Sequence, residues 1–456
     1  MVQKQTISKM IALHLKSIGV KSIFGVPGGG SSLDLIDAAE SVGIKFYLVK
    51  REDAAVIMAC VYGELTKSIG VALVTKGPGL SNAMNGIAYS ALDRAPLILF
   101  SDGFSDNLSS FVTHQVFDQK KLMSPFSKDY TNLQNKNPEI EFKKVVSSAL
   151  LPPYGPVYIE LISSVAQKQI DQGSDSFKIE KDTNNFDYDN KVINLLEKSK
   201  KPAVVLGLEN LIDDTSEVLS KISNILNCPI LVTYKAKGII PDQNNNLVGI
   251  FTGGKAEQVS ISESDLIILI GLDPVELILQ PWPYNIPVLN ISLIEHQVHY
   301  VNADANLLGD LNFNLKKYLQ YFTRSIWKKT EIKYFKDQIK SKLNFPSDNL
   351  LNPQSIVENA QVFSKNNPRV SVDAGAHMFS ATAFWNASKP LDLLISNGLA
   401  TMGFALPAAI SSALESPERG AIAFTGDGGF MMCCAELATA VQFNANILVI
   451  VFNDGA

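Results

Sequence analysis

The stretch from Gly426 to Ala456 reads GDGGFMMCCAELATAVQFNANILVIVFNDGA, and the spacing of its apolar and small polar residues decides the fold. Just ahead of it, Gly420 to Thr425 (GAIAFT) is a short apolar run that reads as a buried strand. Phe430 to Phe443 carries apolar residues around most of its circumference and predicts a helix of about four turns. Ile447 to Phe452 (ILVIVF) is β-branched and uninterrupted, as expected of a strand covered on both faces. Strand, helix and strand make a β-α-β unit, whose crossover forces the two strands to run parallel. Asp427 and the Asn453–Asp454 pair then lie just past the carboxyl ends of parallel strands, on the edge where open α/β sheets bind ligands. Gly426, Gly428 and Gly429 surround Asp427 and open the helix, so backbone N–H groups and the positive end of a helix dipole face that edge. Oxygen-bearing side chains beside such a terminus suit Mg²⁺ carrying a diphosphate.

Outward from this unit, 456 residues predict two or three domains. Hydrophobic content of 46% with 19% charged residues describes an ordinary globular chain, and a formal net charge of −5 without a dense basic stretch excludes a nucleic-acid backbone as main partner. The four cysteines, Cys60, Cys228, Cys433 and Cys434, lack metal-ligand spacing and read as reduced thiols. The first twenty residues are interrupted by polar positions and lack a signal-peptide core. No apolar run approaches the ~18 residues of a membrane span, so a cytoplasmic protein without membrane contact is expected.

Three α/β patterns follow one another. Residues 1–166 alternate short apolar runs with amphipathic stretches. Gln167 to Asn190 is polar and acidic and reads as a linker. A second pattern over 187–320 contains the strands PAVVLG, PILVTY, DLIILIGL and VLNIS, followed by a lysine-rich helical connection broken at Phe345-Pro346-Ser347. The third pattern occupies 353–456. The first and third share a plan: strand GVALVT, the turn Gly77-Pro78-Gly79, a helix from about Ser81 and strand PLILFSD match strand, Gly-Asp-Gly-Gly, helix and strand. In the central pattern His296 and His299 lie one helical turn apart and read as surface residues.

The first pattern holds the most informative carboxylate. In KFYLVKREDAAVIMACVYGEL a strand runs into Arg51-Glu52-Asp53, and an almost wholly apolar helix begins there. A helix apolar all round is buried, so Glu52 stands at the mouth of a buried element, where desolvation favours a protonated or shared-proton carboxyl. The loop Gly25-Val26-Pro27-Gly28-Gly29-Gly30 follows a strand and precedes a helix, leaving backbone open to a ligand.

Together these residues resemble the thiamine-diphosphate-dependent enzymes of the acetolactate synthase, pyruvate oxidase and benzoylformate decarboxylase superfamily. The resemblance rests on the GVPG loop, Glu52, TKGPGLSNAMNGIAYSALDRAPLILFSD, HQVFDQ, ISNGLATMGFALPAAISSA, and GDG with its downstream Asn-Asp-Gly. It implies three consecutive parallel-sheet domains: pyrimidine-binding, central Rossmann-like and diphosphate-binding. The third is expected to be incomplete, since relatives continue beyond this point.

The resemblance implies that Glu52 hydrogen-bonds the cofactor's pyrimidine ring, with Pro27, Gly28, Thr75, Pro78 and Asn82 around it. Asp427, Asp454 and the carbonyl of Ala456 would hold Mg²⁺, though asparagine is usual at the place of Asp454. Met402 would prop the cofactor, Ala400 stands where glycine is frequent, and Gly375, Ala376 and His377 would meet the diphosphate end. His114, Gln115 and Lys128 match stretches on the substrate side. The central GLDPVELILQPWP lacks the arginine of FAD-binding relatives, which disfavours FAD. The implied activity is decarboxylation of a small 2-oxo acid with carboligation, in a homodimer or homotetramer whose active sites lie at the subunit interface, so that Glu52 and Asp427 meet only across two copies. The alternatives are a simple decarboxylase or carbon–carbon lyase of the same cofactor class, and a non-catalytic truncated or regulatory chain. A nicotinamide dehydrogenase is disfavoured because no strand leads into G-x-G-x-x-G with an acidic residue about 20 positions on.

Overall fold

The computed structural model describes residues 4–104, 111–173, 188–278, 281–296, 301–346 and 351–455. They divide into two compact units, Met1–Lys181 with Gly398–Ala456, and Asp182–Asn397. The architecture is α/β with parallel sheets.

In the first unit the strands lie side by side in the order Lys45–Leu48, Ser22–Val26, Gly70–Val74, Leu97–Asp102, Pro156–Leu161 and Tyr130–Thr131, all parallel. From Ser22–Val26 the chain adds its next strand on one side and the following one on the other. This reversal opens a crevice at the carboxyl ends of Ser22–Val26 and Gly70–Val74. The helix Glu52–Leu65 is buried from Ala54 through Val61 and again at Gly63, as its apolar circumference predicts. It approaches its neighbours closely. A Cβ on Gly70 would lie 2.5 Å from the Ala59 carbonyl oxygen, and one on Gly86 2.6 Å from Val56 Cβ. From the helix Ala405–Glu415, Ser411 Oγ donates to the Met58 carbonyl at 2.8 Å.

Strands Ala421–Gly426 and Ile447–Phe452 pair in parallel, with Gly426 opposite Phe452. Two expectations need correction here. The helix starts at Asp427 and breaks into Asp427–Cys433, a 3-10 turn Cys434–Glu436, and Leu437–Gln442. The break follows Glu436, whose carboxylate turns inward to backbone donors of another segment. The strand Ile447–Phe452 is not covered on both faces. Ile447 and Val449 pack beside Ala405 and Ala409, whereas Leu448 is 53% exposed, with no helix over it among the described residues. Two smaller differences follow from local chemistry. The helix expected from Ser81 begins at Pro78, a favoured first helical residue, and restarts at Met84. The expected linker opens with an edge strand, Gln169–Asp171, antiparallel to Lys4–Thr6, where polar side chains face solvent.

In the second unit six parallel strands lie in the order Leu247–Ile250, Ile230–Val232, Pro202–Leu206, Leu266–Ile270, Val288–Ser292 and Ala305–Leu308. In chain order this is 3-2-1-4-5-6, the dinucleotide-fold arrangement. Arg369–Val372 also pairs in parallel with Leu393–Ile395. The first and sixth positions of the larger sheet are strands that the sequence patterns did not single out. His296, expected at the surface, has a side chain only 7% exposed: Nε2 lies 3.0 Å from Glu209 Oε1 and Nδ1 4.0 Å from Asp273 Oδ1. The two carboxylates draw the imidazole inward. His299 lies outside the described residues.

Glu276, also at this edge, is fully buried, and its carboxyl is pushed up to about 8 by desolvation, against hydrogen bonds from Thr233 and the Leu208 N–H. A folded-state value above the ordinary 4.5 means that the folded chain binds the extra proton. That stability is complete below the ordinary carboxyl range and is lost as pH climbs through the folded value. Glu276→Gln should therefore match the parent chain at pH ~5 and exceed it at pH ~9, by on the order of a few kcal/mol, in denaturant titrations.

Candidate functional site

Glu52 is half-buried at the first position of its helix, and the Asn82 side-chain amide donates to its carboxylate. Glu52 and Asn82 line one open depression of about 480 Å³ with Thr75, Pro78, Gly79 and Ser81. Four residues singled out from the sequence, Glu52, Thr75, Pro78 and Asn82, thus share one surface beside the switch point.

In the glycine loop an added Cβ at Gly29 would meet nothing within 4 Å, whereas Gly28 is tightly enclosed. Gly28 is spared a side chain by the protein itself: a Cβ there would lie 2.3 Å from Thr75 Oγ1 and 2.4 Å from Asp102 Oδ2. Pro27 and Gly28 are half-buried, and the buried Asp102 carboxylate accepts the Ser31 and Ser32 hydroxyls at 2.5 and 2.7 Å and the Ser32 N–H at 2.8 Å. Gln119 does the same for the second loop. Its Oε1 accepts the Gly77 N–H at 2.8 Å while Nε2 donates to the Asp102 carbonyl and to Glu160, each at 3.2 Å. Burial raises the Glu160 carboxyl above its ordinary range, and the hydrogen bonds from Gln119 and Tyr130 oppose that rise. Gln119 and Asp102 were missed by the sequence reading, although both close motifs that it quoted, HQVFDQ and LILFSD.

The three residues placed on the substrate side do not line this depression. His114 is exposed, and Gln115 is exposed in a left-handed conformation with its backbone against Gly77. Lys128 donates to the carbonyls of Ser148 and Leu151 at the end of the helix Pro138–Ala149, and burial, then Arg94, lowers its ammonium to about 8.

A second cavity of about 360 Å³ lies in the same unit, lined by Arg51, Asp53, Ala54, Asn85, Thr401, Met402, Gly403, Met432 and Cys433. Met402 is 41% exposed, and its Cε would lie 3.4 Å from a Cβ on Gly428. Ala400 has φ +53°, a left-handed backbone that favours the glycine frequent at this place. Asp427 and Gly428 are exposed, Gly426 is half-buried and Gly429 buried; Asp427 Oδ1 accepts the Gly428 N–H at 2.8 Å. Gly426 faces Phe452 across the strand pair, so Asp427 and Asn453 are the next residues at adjacent strand ends, with Asp454 exposed beside them. Three exposed oxygen-bearing side chains, Asp427, Asn453 and Asp454, at one edge are a donor set that fits a hard cation. Ala456 lies outside the described residues.

In the second unit Gly375 and Ala376 are exposed and His377 is buried at the start of the helix Ala376–Phe384. A Cβ on Gly375 would lie 2.8 Å from the His377 ring, so glycine is required there. Among the described residues one His–carboxylate cluster has donor atoms within 4.8 Å: Glu209, Asp273 and His296. The two ring nitrogens face different carboxylates, so the imidazole bridges them and the three groups do not converge on one point.

Comparison with known proteins matches this layout. Residues 5–122 match the family described as thiamine pyrophosphate enzyme, N-terminal TPP binding domain; residues 190–318 match its central domain; and residues 373–456 match its C-terminal TPP binding domain. The chain belongs to the thiamine pyrophosphate enzyme family. It is 29% identical to an acetolactate synthase large subunit of Buchnera aphidicola subsp. Schizaphis graminum, over 98% of this chain and 82% of that one. It is 28% identical to the acetolactate synthase isozyme 3 large subunit of Escherichia coli K12, over 98% and 82%. With an acetolactate synthase of Bacillus subtilis it shares 26% identity over 96% and 79%.

The two backbone findings make opposite predictions. Gly28→Ala should lose ~1–3 kcal/mol of stability, because its Cβ has no room beside Thr75 and Asp102. Ala400→Gly should cost nothing, since relief of a left-handed alanine, ~1–2 kcal/mol, outweighs the entropy that glycine loses. Chemical denaturation of both variants measures the contrast.

Proposed function

We propose that this chain is a thiamine-diphosphate- and Mg²⁺-dependent enzyme that decarboxylates a small 2-oxo acid and joins the remaining fragment to a second carbonyl, as an acetolactate synthase does. One observation carries the reading: Glu52 opens a buried helix with its carboxylate in an open depression at the switch point of the first sheet. The family membership supplies the cofactor class, and the relatives' names favour carboligation over simple decarboxylation or lyase chemistry.

Thiamine diphosphate, when bound, supplies a carbon nucleophile and an electron sink for decarboxylation. The chain's own residues would do the rest. Glu52 would hold a proton toward the pyrimidine ring, and Asn82, which donates to the Glu52 carboxylate, would orient it. Asp427, with Asp454 beside the next strand end, would supply oxygen ligands for Mg²⁺, and Met402 would offer an apolar support above Gly428. Ala400 would accept from the aminopyrimidine, and Gly375, Ala376 and His377 would meet the diphosphate end.

The lining residues of the Glu52 depression and of the Met402 cavity do not overlap. This supports a site completed by a second copy of the chain, in a homodimer or homotetramer. A bound FAD is disfavoured. At the switch point of the central sheet, Glu209 and Asp273 stand where a dinucleotide would bring its diphosphate, and like charges repel.

Glu52→Gln should leave the fold and cofactor affinity intact and slow exchange of the cofactor's C2 proton about 10²–10⁴-fold, as NMR of the loaded protein would record. An unchanged exchange rate would remove Glu52 from the chemistry and favour a non-catalytic chain. Asp427→Ala should abolish Mg²⁺-dependent binding of thiamine diphosphate in calorimetry, and undiminished binding would place the metal elsewhere.

A further inference from the structure

Glu52 begins a helix that has no cap of its own. The residue before it, Arg51, occupies the N-cap position and makes no side-chain capping hydrogen bond; its guanidinium is held instead by Asp53, at 3.0 Å through both Nε and Nη2. The strand Lys45–Leu48 has already ended, and Val49 is the last residue whose N–H reaches the neighbouring strand, at the Gly25 carbonyl. Lys50 and Arg51 therefore carry backbone N–H groups that neither strand nor helix can satisfy.

Glu436 satisfies both. Its Oε1 accepts the Lys50 N–H at 3.0 Å and the Arg51 N–H at 2.9 Å, and its Oε2 accepts the Thr439 hydroxyl at 2.6 Å. The residue is 0% exposed. A buried carboxylate is costly unless its lone pairs are occupied by donors. Here the donors are the N–H groups of the two residues just ahead of a long helix, and the dipole of that helix favours a negative charge at this end. Desolvation pushes the Glu436 carboxyl above its ordinary range, and the three hydrogen bonds pull it back.

We propose that Glu436 is a positioning residue for Glu52: it holds the two peptide groups that immediately precede Glu52 and so fixes where the helix starts and where that carboxylate points. The proposal deepens the functional reading and rests on Glu52 acting on the cofactor. Glu436 touches neither reacting group nor cofactor in this role. It acts by setting the first turn of the helix, where a shift of the Lys50–Arg51 peptides would swing Glu52 relative to Asn82, Thr75 and Pro78.

The experiment has two readouts on the full chain. Glu436→Met keeps the volume and removes the acceptor; Glu436→Gln keeps an amide oxygen able to take both N–H groups. Hydrogen exchange of the peptides covering Lys50 to Asp53 should rise about 10–100-fold in Glu436→Met and stay near the parent value in Glu436→Gln, which corresponds to loss of hydrogen bonds to a charged group. In protein loaded with thiamine diphosphate and Mg²⁺, C2 proton exchange should slow at least about tenfold in Glu436→Met, with cofactor affinity kept and Glu436→Gln restoring the rate. Unchanged amide protection in Glu436→Met overturns the clamp. Faster amide exchange with unchanged C2 exchange overturns the positioning role. If Glu52→Gln itself leaves C2 exchange unchanged, the functional reading fails, while the amide measurement still decides whether the clamp exists. Should Glu436→Met not fold, the Gln variant read against Thr439→Val decides the same point. Removing the Oε2 partner should raise exchange of the same peptides, and equal protection in both variants overturns the clamp.

Discussion

Burial of the helix Glu52–Leu65 on all sides is the constraint on which the first unit depends. A helix without a polar face cannot lie at a surface, so its neighbours must approach until almost no side chain fits between them. Gly70 and Gly86 meet that demand, and Gly63 does as well, since a Cβ there would lie 2.5 Å from the Gly70 nitrogen. Once the middle of the helix is fixed on every side, only its ends reach the surface, Glu52 and Asp53 at the start and Tyr62, Glu64 and Leu65 at the finish. A carboxylate placed there inherits the rigidity of the whole packing without being buried itself. That combination, a fixed backbone under a half-open carboxyl, is what a group that shares a proton with a bound ring requires.

Charge at the sheet edges is distributed unequally. In the first unit the carboxylates nearest the switch point are committed to backbone and hydroxyl donors: Asp102 holds Ser31 and Ser32, and Glu436 holds Lys50 and Arg51. They shape loops and leave Glu52 as the carboxylate lining the open depression. At the carboxyl edge of the central sheet, Glu209, Asp273 and Glu276 crowd together with His296, and Glu276 is driven toward its neutral form. This edge gathers three carboxyl groups, although its strand order is that of a dinucleotide fold.

Periodicity made the parallel strands legible, because a buried strand such as Leu266–Ile270 is a continuous apolar run bounded by aspartate and glycine. The short strands Leu247–Ile250 and Ala305–Leu308 were not legible, since a few residues at a sheet edge carry no period. The candidate site was legible where a strand end runs into a helix start, as at Glu52 and Asp427. It was not legible where a contact comes from a partner far along the chain. Glu436 looks like an ordinary helix residue in CCAELATA. The one signal it offered was a lone carboxylate among apolar neighbours, which implies an inward-turned charge but cannot name its donors. His296 misled for the same reason, because its two carboxylates come from the ends of other strands.

The glycine-rich loops make the same point about spacing and contact. Gly28 sits in a loop whose sequence suggests open backbone, yet the absent side chain is demanded by Thr75 and Asp102, and that of Gly375 by the His377 ring. At Gly29 and Gly455, by contrast, an added Cβ would meet nothing within 4 Å. Glycines of the first kind bring loops together, and only the second kind leave backbone facing free space. Within one chain the loops assembled in this way produce two separate concavities, one containing Glu52 and the other Met402. A cofactor long enough to need both a carboxylate at its ring and an oxygen-rich edge at its phosphates cannot be served by the Glu52 depression alone. The proposed second copy follows from that geometry as much as from family membership: each chain would present half of two sites, with Glu436 fixing the Glu52 half from within the same chain.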